Sequence, residues 1–305
     1  MLDSKPSVLI IGLGLIGASL GKALRHAGTA FVYGSDQQSN VPEVALTFGV
    51  IDEVVENLAN LKEVDVIVMA VPVKAIASVL TNINHLLPTV KVLTDVGSVK
   101  GAVVKQVEEV LGELPAYFVP GHPIAGAEKS GVGAANVELF DKHLHILTPL
   151  PQSSPAAVDL LTQLWSSVGA DVVTMDVERH DEVLAATSHL PHLLAFSLVD
   201  TLARESDNRE IFRYAAGGFR DFTRIAASDP TMWHDVFLTN QDATLKILRK
   251  FQSDLAMLEH AIETSDGELL KTVFHRSKSA RDYFTQVLEQ REKGVSFSAI
   301  TDYTP

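Results

Sequence analysis

Gly121-His122-Pro123-Ile124-Ala125-Gly126 puts one histidine in a loop held between Pro120 and Pro123, directly after the apolar pair Phe118-Val119. Proline restricts its own backbone, so an imidazole carried here is conformationally fixed and, with a pKa near neutrality, suited to general base chemistry. Alone it reads equally as an ordinary surface histidine. Ser188-His189-Leu190-Pro191-His192 is a second titratable block. On a helix, His189 and His192 share a face and Ser188 lies one turn from His192. This is either a pair of satisfied histidines beside a proline kink or half a metal site. No acidic ligand stands nearby at fitting spacing, so no metal is expected. Arg220 and Arg224, one helical turn apart, can together grip a carboxylate, or can be solvated charges paired with Asp221 and Asp229.

A third block is shaped for a nucleotide. The β-branched run 7–11 enters Gly12-Leu13-Gly14-Leu15-Ile16-Gly17, and helical spacing follows over 18–27 up to Gly28. The first glycine permits a tight turn, the second lets a pyrophosphate approach the backbone, and the third lets helix and strand pack closely. Phosphates then rest on the helix N-terminus. A second apolar run, 30–35, ends at Asp36, nineteen residues beyond Gly17. An acid there accepts ribose hydroxyls and repels a 2′-phosphate. Gln37, Gln38 and Ser39 supply no cation to welcome one, so NAD is expected in preference to NADP.

The positioning elements repeat the same pattern. Strands at 64–71 and 91–96 alternate with helices at 74–87 and 100–111, the signature of a doubly wound α/β sheet. Ligands in such sheets lie beyond the carboxyl ends of the strands, where Val71-Pro72, Gly97-Ser98-Val99-Lys100 and the His122 loop all fall. Ser98 is also a natural helix N-cap. Further strands are expected at 143–149 and 171–175 around a helix at 156–168. From Val177 onward helical spacing dominates, so the dinucleotide-binding domain is expected to span 1–175 and an all-helical domain 176–305. One long helix is expected over 178–204, kinked at Pro191, and an amphipathic one over 238–262. Gly217-Gly218 suggests close approach to another group. Asp229-Pro230 reads as N-cap and first helical residue. The apolar stripe Leu245, Leu248, Leu255, Leu258 and Ile262 suits a homodimer surface or an internal core.

Composition narrows the function. The 305 residues fit two domains, and with 46% hydrophobic residues each can bury a core. The absence of cysteine excludes disulfides, thiolate metal sites and thiol nucleophiles. A net charge of −13 disfavours nucleic acid and anionic membrane as partners. An anionic substrate would need local cations, with Lys129, Arg213, Arg220 and Arg224 as candidates. No apolar run approaches the ~20 residues of a membrane span and the N-terminus is unlike a signal peptide, so a cytoplasmic protein is expected.

Taken together, the glycine block, Asp95-Val96-Gly97-Ser98-Val99-Lys100, the His122 block, Ser188–His192 and Gly217–Arg224 through Met232-Trp233 resemble the prephenate/arogenate (cyclohexadienyl) dehydrogenase family over roughly residues 7–290. The resemblance implies oxidative decarboxylation of prephenate, arogenate or both, with hydride transfer to NAD in tyrosine biosynthesis. It makes His122 the catalytic base and Ser98 the residue that hydrogen-bonds the same substrate hydroxyl or orients that histidine. It also implies that His192, Arg224, Gly217 and Ser188 contact substrate, and that Trp233 and Glu128 wall and gate the pocket. A homodimer with tyrosine as feedback inhibitor is expected. The choice between prephenate and arogenate stays open. Two competing readings are another small-acid dehydrogenase or imine reductase of the same architecture, and an NAD-sensing module without chemistry.

Overall fold

Strand residues that are apolar on both sides must be covered on both sides, and this dictates the core. The computed structural model describes residues 5–127, 129–295, 299 and 300. β1 (Ser7–Ile11), β2 (Phe31–Ser35), β3 (Glu53–Val54), β4 (Val66–Met69) and β5 (Val92–Asp95) form one parallel sheet in the order β3-β2-β1-β4-β5. The helices between them are α1 (Leu15–Ala27), α2 (Val41–Thr47), α3 (Ile76–Ile83) and α4 (Lys100–Leu111). Alternation along β1 divides the core in two. Val8 and Ile10 pack with Leu20 and Leu24 of α1, whereas Leu9 and Ile11 pack with Leu80 of α3 and Val103 of α4. The expected doubly wound sheet is therefore present. α2 and the two-residue β3 were not anticipated, being too short to show a period.

Past α4 the chain follows β5, with Val119 N bonded to Leu93 O at 3.0 Å, and then leaves for a second sheet. That sheet contains β6 (Gly121–Pro123), β7 (Leu144–Leu147) and β8 (Asp171–Thr174), with α5 (Pro155–Ser166) between the last two. β6 is antiparallel to β7, and β7 parallel to β8. His122 thus lies in a short strand opposite Ile146 and not in a loop. Its flanking prolines disguise the strand, but at the end of an edge strand they cost no ladder bond.

The change from strand to helical patterning falls where β8 gives way to α6 (Val177–Leu184). A single wide π turn, Ala185–His189, joins α6 to α7 (Leu190–Ala203). Pro191 cannot donate to the carbonyl one turn back, and the wide turn immediately before it accommodates the missing bond. By length and mean hydropathy, 177–203 is long and apolar enough to cross a membrane, contrary to expectation. In this fold it packs against α4 and carries polar groups of the candidate site.

α8 (Asn208–Tyr214), α9 (Gly217–Thr223), α10 (Pro230–Thr239), α11 (Gln241–Glu263) and α12 (Gly267–Glu292) follow. Asp229 caps α10 as expected, accepting from Thr231 N at 2.7 Å and Met232 N at 3.3 Å. The helix expected over 238–262 is broken at Asn240, whose backbone is non-helical. The described chain forms two compact units that divide after Thr244, and α6, which packs on α4, belongs to the first unit with the sheet.

Candidate active site

The glycine turn has the geometry its residues predict. Gly12 has φ +94, and a Cβ there would lie 2.3 Å from Ala70 O and 3.0 Å from a Val71 methyl. A Cβ on Gly17 would stand 2.0 Å from Gly12 O, whereas one on Gly14 would meet only open space. Strand, turn and helix therefore close tightly around an accessible backbone at Gly14, Leu15 and Ile16, the start of α1. Asp36 closes the other side. It accepts from Leu13 N at 2.8 Å and from Gln38 N at 2.9 Å, which ties the end of β2 to the glycine turn. Val71 and Pro72 follow β4 after Ala70, with Pro72 exposed. These residues fit an adenine dinucleotide.

Beyond β5 the site is built on a buried ion pair. Lys100 and Asp95 are both fully buried; Lys100 Nζ donates to Asp95 and, at 2.6 Å, to Gly121 O. Asp95 also accepts from Gly97 N at 2.8 Å and Gly121 N at 3.3 Å. Both backbone groups of Gly121 are thus held, and His122 is presented from a fixed peptide. A side chain at 121 would collide with His145, whose Nε2 would lie 2.8 Å from its Cβ. Burial pushes the Lys100 ammonium below its ordinary pKa despite the Asp95 charge.

His122 Nδ1 lies 3.0 Å from His180 Nε2, and His180 Nδ1 lies 2.8 Å from Asp181 Oδ1. The Asp181 carboxylate accepts from Lys100 N and Gly101 N, each at 2.8 Å. It therefore caps α4, the role Ser98 could have taken. Ser98 precedes the helix, half-buried, and its hydroxyl makes no hydrogen bond among the described residues. Among the described residues His122 has a hydrogen-bond partner at Nδ1 and none at Nε2. Its pKa is held well below the usual value by burial first and by His180 next.

On the helical side, His192 stacks on Trp233 with ring centroids 3.7 Å apart, and its Nδ1 donates to Ser188 O at 2.8 Å. Ser188 thus contributes its carbonyl. Arg224 lines a cavity of about 430 Å³ with Lys129, Asn136 and Leu15 of the glycine turn. Arg220 does not join it. α9 ends at Thr223, and exposed Arg220 pairs with its neighbour Asp221 at 3.1 Å, so the two-arginine clamp does not form. Gly217 starts α9, exposed, and beyond its own helix backbone a Cβ there would come no nearer than 4.0 Å, to Arg220, so the close approach expected of Gly217-Gly218 is not made among the described residues. Glu128 lies outside the described residues.

His180, Asp181, Lys100 and His145 escaped the sequence reading. His180 is 58 positions from His122, and no local spacing reveals that pairing. Four histidines around the site share one consequence. Burial depresses the pKa of His122, His145 and His180, and takes His189 to about 4. The unfolded chain takes up these protons near 6.5, before the folded one does, so stability rises with pH across this window and falls on acidification. For His189 alone the loss between pH 6.5 and about 4 is on the order of 3 kcal/mol. Tm recorded from pH 8 to 4.5 should therefore drop below pH 6.5; a flat curve would contradict the neutral, buried state of these rings.

A parallel sheet with a pyrophosphate-shaped turn, an acid closing it and a fixed imidazole beyond β5 defines a dinucleotide-linked dehydrogenase. Residues 20–174 match the family model "Prephenate dehydrogenase, nucleotide-binding domain" and residues 176–276 match "Prephenate dehydrogenase, dimerization domain". The chain belongs to the prephenate dehydrogenase family. It is 37% identical to the cyclohexadienyl dehydrogenase of Zymomonas mobilis over 279 residues, 90% of this chain and 94% of that protein. With the prephenate dehydrogenase of Bacillus subtilis it shares 38% identity over 300 residues, 97% of this chain and 79% of the other. The crystal structure of prephenate dehydrogenase from A. aeolicus with hydroxyphenyl propionate and NAD+ superimposes with a TM-score of 0.85 at 36% identity, covering 92% of this chain and 99% of that one.

Proposed function

We propose that this dehydrogenase oxidises and decarboxylates prephenate, arogenate or both, passing hydride to NAD, and so produces 4-hydroxyphenylpyruvate or tyrosine. One observation carries the reading: an imidazole with Nδ1 engaged and Nε2 open stands at the carboxyl end of a sheet whose first turn is shaped for pyrophosphate. Gly12, Gly14, Leu15, Ile16 and Gly17 would hold the pyrophosphate, Asp36 the adenosine ribose, and Val71 with Pro72 the wall beneath. The carboxylate at Asp36 favours NAD over NADP. When bound, the cofactor accepts the hydride.

His122 takes the proton of the ring hydroxyl as hydride leaves the same carbon, and Ser98 hydrogen-bonds that oxygen. The electron pair of the ring carbon–carboxylate bond then flows through the ring to the new carbonyl oxygen, which takes the proton back from His122. Carbon dioxide leaves and the ring becomes aromatic, so no metal is required. Arg224, His192, Ser188 and Gly217 position the dianion, with Trp233 and Glu128 at the pocket wall. Residues 1–175 bind the dinucleotide, and 176–305 bind substrate and form a homodimer, consistent with the named dimerization domain. Tyrosine, itself the product from arogenate and the amino counterpart of the product from prephenate, acts as feedback inhibitor, and the enzyme works in the cytoplasm.

The test is reduction of NAD by the purified protein with prephenate and with arogenate, repeated with NADP. Turnover of at least one acid with NAD favoured is expected, and the ratio of the two kcat/KM values names the substrate. NAD binding with silence on both acids would instead indicate a sensing module or another small acid.

A further inference from the structure

Asp181 dictates where the protons sit on both histidines before it. Burial works against its charge, but the bonds from His180, Lys100 N and Gly101 N outweigh burial and keep the carboxyl below its ordinary range, with the N-terminus of α4 adding to them. A carboxylate only accepts, so His180 Nδ1 carries a proton. In neutral His180 the lone pair is then on Nε2, and the atom facing it at 3.0 Å, His122 Nδ1, must be the donor. A neutral His122 donating from Nδ1 has its lone pair on Nε2. We propose that His180 and Asp181 are positioning residues of the reaction, which select Nε2 of His122 as the base and share the charge it acquires.

The proposal rests on His122 being the base in the reaction above. As the substrate O–H bond breaks, its proton binds His122 Nε2. The Nδ1 proton of His122 shifts to His180 Nε2, leaving His122 neutral and an imidazolium at His180 against the Asp181 carboxylate. The shifts reverse when the ring oxygen reclaims its proton, so the pair ends unchanged. The other groups around His122 are poorly placed for this role. Lys100 of α4 is committed to Asp95 of β5 and to Gly121 O, the ring of His145 in β7 is stacked on Trp165, and His189 contacts Asn240 at 3.2 Å. Among the described residues only His180 reaches a ring nitrogen of His122.

The protonation pattern is read directly by 15N NMR on the full-length, histidine-labelled wild-type protein at neutral pH without substrate. Protons on Nδ1 of both His122 and His180 are expected, and a proton on Nε2 of neutral His122 overturns the proposal. Asp181→Asn gives the kinetic arm, because an amide presents either oxygen or NH2 and no longer imposes one tautomer. Its kcat should fall roughly 100-fold, the low end of what a positioned base contributes, with the KM values for NAD and substrate within about threefold. The acid limb of kcat against pH should move to lower pH, since the anion facing the imidazolium is gone. A merely structural role would hydrate His122 and move that limb up toward an ordinary histidine; an upward or absent shift overturns the proposal. If Asp181→Asn does not fold, the wild-type NMR still decides. Absence of wild-type turnover with either acid would defeat the reaction itself, and the substrate-free NMR separates that outcome from failure of the proton assignment.

Discussion

His122→Asn is expected to lower kcat by about 10³-fold, within the range that a positioned general base supplies, while NAD affinity stays at its wild-type value. Asparagine is close in size and keeps a polar group for His180, so β6 and the peptide at Gly121, held by Lys100 and Asp95, have no reason to move. What disappears is the basic nitrogen. The glycine turn and Asp36 lie on other strands and do not use His122 for any contact. Steady-state kinetics alongside an NAD titration distinguish the two quantities, and a near-normal kcat in this variant removes His122 as the base.

Arg224→Ala should show the opposite pattern. A charge-assisted bond to a carboxylate is worth about 1.5–3 kcal/mol, so the KM for substrate should rise by roughly 10- to 100-fold while kcat changes only a few-fold. The protein's net charge of −13 repels a dianion overall, which makes local cations decisive. Arg224 and Lys129 face the same cavity beside the start of α1, so Lys129 retains part of the attraction in the variant. This sets the loss below that of removing all positive charge. A collapse of kcat at unchanged KM would place Arg224 at the reacting atoms instead of at a carboxylate.

The legible parts of this protein are those whose signals are local. Gly12 and Gly17 must be small because an added Cβ would meet backbone at Ala70 and at Gly12 itself, while Gly14 between them faces open space, and that demand is written into neighbouring positions. Asp36 follows at a distance determined by one helix and one strand. The apolar strands and the Asp229-Pro230 helix start were likewise readable, because their period or cap lies within a few residues. His122 was found by the prolines around it, although those same prolines concealed that it lies in a strand.

The surroundings of His122 were not legible, since they are assembled across the fold. Ser98 was a reasonable cap for α4 by sequence, yet the cap is Asp181, some 80 positions away, brought there because α6 packs on α4. Arg220 and Arg224 suit one helical face until α9 ends at Thr223 and separates their roles. Composition, glycine spacing and the histidine block point to a dinucleotide-linked enzyme and single out His122, the base proposed above, because steric and helical rules act between neighbours. Which nitrogen of His122 is engaged, and what holds it, follow from contacts among β6, α4 and α6, and contacts across long sequence separations leave no period in the chain.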